Sequence, residues 1–227
     1  MDRILQLHYK FFENIQSDLE IRELLQSENI TVLDGFYKNF ELVSNYYKLV
    51  YSSEASRIVL CGINPGRNGA GKTGIPFLDF ESVSSLVPNI NRSDKEQSAQ
   101  FIKSIIDELG NKTYFNAVHM TNLSWFGFVK NNKNLNYYDL PDPLPALFTE
   151  SFISEMNIVK PKIIVPLSQR VEKTLKQMQK AGKLQYPVSS RLPHPYYCSI
   201  GQNAIKYKEV YVKMINELRE DKANVLL

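Results

Sequence analysis

The sequence predicts an α/β protein with three layers, in which helices cover both faces of a central, mostly parallel sheet of four strands. Two observations support this class. Short apolar runs that end in glycine or polar residues alternate with longer segments of helical periodicity, a pattern typical of parallel sheets. Residues 1–52 show only the helical pattern. We therefore expect one domain spanning 1–227, with a helical extension over 1–52 and a core over 53–227.

The predicted strands are runs too short and too apolar to be surface helices. They cover 57–62, 114–120 and 162–167, and each is almost continuously apolar. Strands buried on both faces of a parallel sheet have this composition, because neither side of the strand meets water. The sequence therefore places polar residues such as Asn64 and Asn122 just beyond the carboxyl ends of two strands, where α/β sheets bind ligands.

The predicted helices come before, between and after these runs. Ile4, Leu5, Phe12 and Ile15 recur at helical spacing near the N-terminus. Further helices are expected over 98–109, 146–159 and 204–218, and another runs to about 178 behind Ser168, which is a suitable N-cap.

Composition excludes some classes of protein. Hydrophobic residues make up 43% of the chain and charged residues 22%, which suits a folded domain. The two cysteines do not form a disulfide framework, and no apolar run is long enough to cross a bilayer. With no signal-peptide pattern, we expect a cytoplasmic monomer. The cysteine, histidine and carboxylate spacing fits neither zinc nor an iron–sulfur cluster, so we expect no metal and no cofactor.

One glycine-rich stretch permits two interpretations. From Gly66 it has the form G-x-x-x-x-G-K-T, the phosphate-binding loop of nucleotide triphosphatases. That loop requires a helix beginning near Lys72, but Gly74 and Pro76 disfavour one. The strands downstream also end without the aspartate that would bind magnesium. A phosphate-loop NTPase is therefore the weaker interpretation.

From Asn64 the same stretch resembles the first motif of the uracil-DNA glycosylase superfamily, most closely that of the single-strand-selective monofunctional uracil-DNA glycosylase family. The motif has the form G-M-N-P-G-x-x-G-x-x-x-T-G-x-P-F. An asparagine at the end of a later strand and a histidine-proline pair near residue 194 occur in the expected order. The matching residues are Gly62, Ile63, Asn64, Pro65, Gly66, Gly69, Thr73, Gly74, Pro76, Phe77, Asn122, His194 and Pro195.

The resemblance implies a role for each main residue of a pocket that holds a flipped base. Asn64 would position and polarise the attacking water, and His194 would donate a hydrogen bond to O2 of the departing base. Phe77 would stack on the base, while Asn122 would pair with O4 and N3–H of uracil. Gly66 would leave room at the 5-position, which suggests tolerance of 5-substituted uracils and of deaminated purines.

The remaining candidates surround that pocket. Gly62, Ile63 and Pro65 would complete the base-binding motif, and Lys72 is a candidate contact to the DNA backbone. The family carries an arginine after its histidine loop that enters the DNA stack, but this chain has Tyr196 and Tyr197 there. We expect a tyrosine to act as the wedge instead, or Arg191 to contact a phosphate or the duplex. These candidate DNA-binding residues are Lys72, Arg191, Tyr196 and Tyr197.

Structural roles compete with several of these assignments. Phe77 is also compatible with the core, and Asn122 with a cap after its strand. His119 lies inside a strand and is expected to be structural, whereas His8 is expected to be incidental. The resulting hypothesis is a monofunctional DNA glycosylase that excises uracil and related bases and leaves an abasic site. A DNA-binding module of the same fold without efficient catalysis is the alternative.

Overall fold

The computed structural model describes residues 1–52 and 55–220. The predicted boundary between extension and core, at residue 53, lies outside the described residues, as do residues 221–227. None of the helices in the described part of the chain combines the length and apolar character that a bilayer span requires. Cys61 and Cys198 are both buried and free.

The N-terminal region is mainly helical, as predicted. It contains α1 (Asp2–Ser17), α2 (Leu19–Ser27), β1 (Ile30–Val32), α3 (Gly35–Lys38) and α4 (Phe40–Val50). Asp18 separates the first two helices because its carboxylate accepts the backbone N–H of Ile21, 3.0 Å away, and so caps α2. The short strand β1 was not predicted.

The rest of the described chain alternates strands and helices. A single 3-10 turn covers Tyr137–Asp139. The other elements are β2 (Ile58–Gly62), α5 (Ala70–Thr73), α6 (Phe80–Ser84), α7 (Gln97–Leu109), α8 (Asn111–Ala117), β3 (Val118–Asn122), β4 (Phe128–Lys130), β5 (Lys133–Leu135), α9 (Leu144–Val159), β6 (Ile163–Pro166), α10 (Gln169–Lys180), α11 (Pro195–Cys198) and α12 (Asn203–Glu220).

Within residues 1–52 and 55–220, the central sheet is parallel but has three strands, in the order β3-β2-β6. The prediction of four strands is therefore wrong. Where a fourth strand would lie, the chain makes one parallel bridge, between Ile164 and Val188. Ile164 N–H donates to Pro187 O, and Ser189 N–H donates to Ile164 O. Pro187 itself has no N–H to donate, so the segment runs alongside β6 without extending the ladder.

The predicted strand over 114–120 is only partly correct. Its first four residues form the end of α8, and β3 begins at Val118. The register explains the difference, since Ile58 at the start of β2 pairs with Val118. No residue of β2 precedes Ile58, so an earlier strand segment would have no partner, and Tyr114 and Phe115 are buried from a helix instead.

A second, smaller sheet joins the N-terminal region to the core. Strand β1 pairs antiparallel with β4, and β4 pairs antiparallel with β5. In the first pair Ile30 lies opposite Lys130, one hundred residues away along the chain. This sheet was not predicted, and it places β5 beside the ligand-binding edge of the central sheet.

Both faces of the central sheet are buried, as expected for a sheet that helices cover on both sides. On one face, His119 and Thr121 of β3 donate hydrogen bonds to the Glu155 carboxylate of α9, at 2.8 and 2.9 Å. His8 of α1 lies 3.2 Å from the same carboxylate and stacks on Trp125. The expectation that His8 is incidental is therefore wrong, since it fixes the N-terminal helix to the core.

Charge is retained in this buried cluster of His8, His119, Thr121 and Glu155. Burial alone would raise the pKa of Glu155, but its hydrogen bonds to the two histidines lower it to about 2. Burial lowers the pKa of His8, so that His8 is neutral at pH 7. A buried carboxylate satisfied in this way stabilises one arrangement of α1, α9 and β3.

Candidate active site

A pocket of about 630 Å³ opens at the carboxyl ends of β2 and β3. This is the edge at which the alternation of strands and helices predicted a ligand site. Eight of the candidate residues from the sequence line it: Ile63, Asn64, Pro65, Gly66, Phe77, Asn122, His194 and Tyr196. Segments far apart in sequence therefore meet at one cavity.

Asn122 presents its amide to this pocket from the end of β3. The residue is only 3% exposed. Within the described chain its side chain has no hydrogen-bond partner, although it carries two donors and one acceptor. Buried polar groups are normally satisfied, so an unpartnered amide facing a cavity is suited to a polar ligand.

Gly62 is the residue that lets Asn122 and Phe77 converge. A Cβ at this position would lie 2.3 Å from Asn122 Oδ1 and 2.5 Å from Phe77 Cζ. Phe77 is half-buried against the pocket and has a φ of 62°, which is uncommon for a residue with a side chain. Such backbone strain is concentrated at binding and catalytic sites. The aromatic wall of the pocket is therefore held in place by a glycine and by a strained backbone.

His194 enters the pocket on a loop that is fixed to the sheet. Leu192 N–H donates to Pro166 O at the end of β6, and the Tyr211 hydroxyl donates to Pro193 O. His194 itself is the N-cap of α11, and its Nδ1 accepts the backbone N–H of Tyr196 at 3.1 Å. In the neutral imidazole the proton is then on Nε2, which is a donor.

The charge state of His194 agrees with this tautomer. Burial lowers its pKa below the ordinary 6.5, and the negative charge of Glu96 opposes that effect only in part. The imidazole is therefore neutral near pH 7. A neutral Nε2–H can stabilise an anion that forms in the pocket without first losing or gaining a proton.

Asn64 is held by the last residue of β5 and by the turn that follows it. Its Oδ1 accepts the Tyr137 N–H at 3.0 Å, and its Nδ2 donates to Leu135 O at 3.2 Å. These two contacts fix which way the amide points. One lone pair of Oδ1 is used by Tyr137, and the other can accept a hydrogen bond from a water molecule or a ligand.

The second sheet contributes residues that the sequence did not single out. Asn134 Oδ1 accepts the Arg67 N–H at 3.1 Å and so fixes the loop after Gly66. Asn136 and Tyr138 also line the pocket. Four asparagines within residues 131–136 are a compositional signal, but the pairing of β1, β4 and β5 that brings them here is not visible from local patterns.

Of the four candidate DNA contacts, Tyr196 lines this pocket and the other three do not. Tyr196 is 52% exposed and reaches the rim, whereas Tyr197 packs its ring 5.7 Å from that of Tyr207. Lys72 Nζ lies 3.6 Å from an Asp94 carboxylate oxygen. Arg191 forms an exposed ion pair with Glu172, 2.9 Å between Nη1 and Oε2. Exposed pairs of this kind contribute little energy and exchange readily for a phosphate.

The geometry of the glycine-rich stretch contradicts a phosphate-binding loop. The N–H groups of Gly71, Lys72 and Thr73 donate to the carbonyls of Gly66 and Gly69, so they are not directed at a ligand. The Thr73 hydroxyl is buried and donates to the Leu78 carbonyl at 2.8 Å, away from any magnesium position. Helix α5 ends after one turn at Gly74, which has a φ of 78°. A triphosphate would find neither the amides nor the helix dipole it requires.

A larger groove, of about 1090 Å³, is lined by residues of α1, α2, β1 and α3. It contains none of the candidate site residues from the sequence. Its charged residues, Glu13, Arg22, Asp34 and Lys38, are of mixed sign. The polar groups that converge on one point are instead found in the smaller pocket.

The fold and the pocket together define an α/β protein with a ligand site at the carboxyl edge of its parallel strands. The model of the Uracil DNA glycosylase superfamily matches residues 49–219, which is most of the chain. The chain therefore belongs to the uracil-DNA glycosylase superfamily, and the resemblance noted from the sequence is confirmed.

A solved structure shares the fold. The crystal structure of wild-type Pedobacter heparinus SMUG2 superposes with a TM-score of 0.69 and 23% sequence identity. The matched region covers 84% of this chain and 88% of that one. No curated protein matches the chain significantly.

Proposed function

We propose that this protein is a monofunctional DNA glycosylase of base excision repair. It flips uracil and related deaminated or modified bases into the pocket, hydrolyses the N-glycosidic bond and leaves an abasic site. The observation that carries the proposal is the convergence of His194, Asn122, Asn64 and Phe77 on one cavity. Membership of the superfamily supports the same reaction class.

Base recognition in this proposal depends on Asn122 and Phe77. The amide of Asn122 donates to O4 of uracil through Nδ2 and accepts N3–H through Oδ1. In that orientation of the amide, cytosine has a donor where uracil has O4 and lacks N3–H, so both groups of the amide are left unpaired. The Phe77 ring stacks on the flipped base, which contributes about 1–3 kcal/mol of binding.

Bond cleavage depends on leaving-group stabilisation. The bond between C1′ and N1 breaks with its electron pair moving to the base, and negative charge spreads to O2. His194 Nε2–H donates to that oxygen as the charge develops. Asn64 binds the attacking water through the free lone pair of Oδ1. An amide is a very weak base, so Asn64 positions the water rather than deprotonating it.

The DNA substrate reaches the pocket across a rim that includes Tyr196. An exposed aromatic ring beside the pocket is suited to fill the space that a flipped nucleotide vacates. Lys72 and Arg191 contact phosphates in this proposal, after exchanging their present carboxylate partners for DNA. We propose that the enzyme acts as a cytoplasmic monomer.

The test uses purified full-length protein with uracil in single-stranded and double-stranded oligonucleotides, followed by alkaline cleavage of abasic sites. Wild type is expected to give product, Asn64→Ala to give almost none, and Lys208→Ala, on the surface of α12, to match wild type. Tight binding of uracil-containing DNA by wild type without product would identify a binding module instead. Nucleotide hydrolysis that depends on Lys72 would contradict both functions.

A further inference from the structure

The pocket contains a carboxylate for which the proposed reaction has no role so far. Among the described residues that line the cavity, Glu96 alone carries a carboxylic acid. It lies just before α7 and is that helix's N-cap, because Oε2 accepts the Ala99 N–H at 2.9 Å. The Ser98 hydroxyl also donates to this carboxylate at 2.7 Å. The side chain is therefore half-buried and held in one orientation.

The glycine-rich loop is shaped around this side chain. A Cβ on Gly69 would lie 3.2–3.3 Å from the Cβ, Cγ and Oε2 atoms of Glu96. Contacts at this distance require one of the two residues to shift, so a glycine here lets the loop pack directly on the carboxylate. The Glu96 backbone is fixed as well, since its N–H donates to Asp79 Oδ2 at 2.7 Å. Gly69 is one of the positions shared with the glycosylase motif, and the base-binding roles do not explain it.

Glu96 lines the same cavity as His194 and Asn122. Its negative charge tends to raise the pKa of His194 on the opposite segment, so the two groups are electrostatically coupled. Asn122, unpartnered and almost completely buried, faces the same cavity. A ligand between these groups would therefore meet a hydrogen-bond donor and a negative charge together. The other titratable or charged groups near Glu96 are Asp79, Lys95, Tyr138, Tyr196 and the Lys72–Asp94 pair.

We propose that Glu96 is a further catalytic residue, the carboxylate that accepts the proton of the attacking water and stabilises the positively charged sugar. This inference rests on the proposed glycosylase function. As the C1′–N1 bond breaks, its electron pair goes to the base and positive charge develops on the sugar. The water oxygen bonds to C1′, and one water proton passes to Glu96. The protonated Glu96 then returns that proton to the base anion or to solvent, so the enzyme is regenerated.

In this proposal Asn64 orients the attacking water, and Glu96 accepts its proton. Asn64 is fixed by backbone contacts and can orient a water molecule, but its amide is not basic enough to take a proton. Glu96 is a carboxylate and supplies both a proton acceptor and a negative charge. A positioned general base typically contributes about 10²- to 10⁴-fold to the rate.

The test compares Glu96→Gln with wild type and with the control Glu81→Gln, which lies on α6 and pairs with Lys95. Glutamine has the same shape and can still accept the Ala99 N–H, so the cap of α7 is kept while the charge is lost. Single-turnover excision of uracil is measured near pH 7, together with the Kd for uracil-containing DNA and the Tm of each protein. The expected result for Glu96→Gln is a loss of about 10²-fold or more in rate. Its Kd and Tm stay close to wild type.

Glu96→Asp keeps the charge and the cap but withdraws the carboxylate by one methylene. It is expected to excise uracil more slowly than wild type but faster than Glu96→Gln, and it keeps the test decisive if Glu96→Gln folds poorly. A wild-type rate in Glu96→Gln or in Glu96→Asp would overturn this assignment while leaving the glycosylase function intact. An inactive wild type would overturn the proposed function and this assignment with it.

Discussion

Replacing His194 with alanine tests how the pocket stabilises the departing base. The substitution removes the Nε2–H donor of His194. Nε2 carries the imidazole proton because Nδ1 accepts the Tyr196 N–H. It also removes the side-chain cap of α11, which is worth about 0.5–2 kcal/mol of stability. That loss is small beside a typical unfolding free energy of about 5–15 kcal/mol, so the variant is expected to fold.

The expected effect on catalysis is larger than the effect on stability. A single preorganised donor to a developing anion contributes about 2.7–4 kcal/mol, or about 10²- to 10³-fold in rate. Because burial lowers the pKa of His194, the imidazole is already neutral at pH 7. The contribution of His194 is therefore expected to persist to a lower pH than that of an ordinary histidine, whose pKa is about 6.5.

The assay is single-turnover excision of uracil from a labelled oligonucleotide, followed by alkaline cleavage. His194→Asn is the matched variant, since asparagine is a good N-cap and keeps the start of α11 while its amide does not reach as far into the pocket. Both variants are expected to lose about 10²- to 10³-fold in rate with little change in DNA affinity. A rate within a few-fold of wild type in both would refute the role of His194 as the anion-stabilising donor.

Three further predictions concern the shape of the pocket and the buried carboxylate. Gly66→Tyr is expected to abolish excision with little loss of stability, because a Cβ there meets only Asn134 Nδ2 at 3.5 Å while the ring fills the cavity; full activity would contradict the proposed pocket. Gly62→Ala places a methyl group 2.3 Å from Asn122 Oδ1, so excision is expected to fall on the order of 10²-fold through misplacement, with DNA affinity as the control measurement. Folding lowers the pKa of Glu155 from 4.5 to about 2. The ionised carboxylate therefore adds about 3 kcal/mol to the free energy of unfolding above pH 4.5, and this contribution is lost as the pH falls from 4.5 to 2. Urea unfolding across this range checks the prediction, and a Glu155→Gln variant with the same acid dependence as wild type would exclude it.

The sequence was sufficient for those parts of the fold and site that depend on local chemistry. Runs such as 57–62 are apolar because both faces of the sheet are buried, and this composition is visible without a structure. Ser168 was identified as a cap, and its hydroxyl oxygen accepts the Val171 N–H. Asn64 was placed beyond a strand end, which is where it lies, and Asn122, predicted to follow its strand, is the last residue of β3 and pairs with Gly62.

Features that depend on distant partners were not predictable in this way. Strands β1, β4 and β5 have three residues each, too few to show the alternation of apolar and polar residues that identifies a strand. The pairing of β1 with β4 also joins segments one hundred residues apart. His8 was misjudged because its partner Glu155 lies 147 residues later in the chain. Glu96 was missed because a glutamate before a helix is ordinary in sequence, and only the folded loop places it in the pocket.

The most direct test of the central claim is to identify both products of the reaction. Wild-type protein is incubated with a uracil-containing oligonucleotide, and the mixture is analysed by mass spectrometry without alkali. The expected products are free uracil and an unbroken strand that carries an abasic site, and a His194→Ala, Glu96→Gln double variant is expected to form neither. Intact uracil-containing DNA after prolonged incubation with folded, DNA-bound wild type would contradict it.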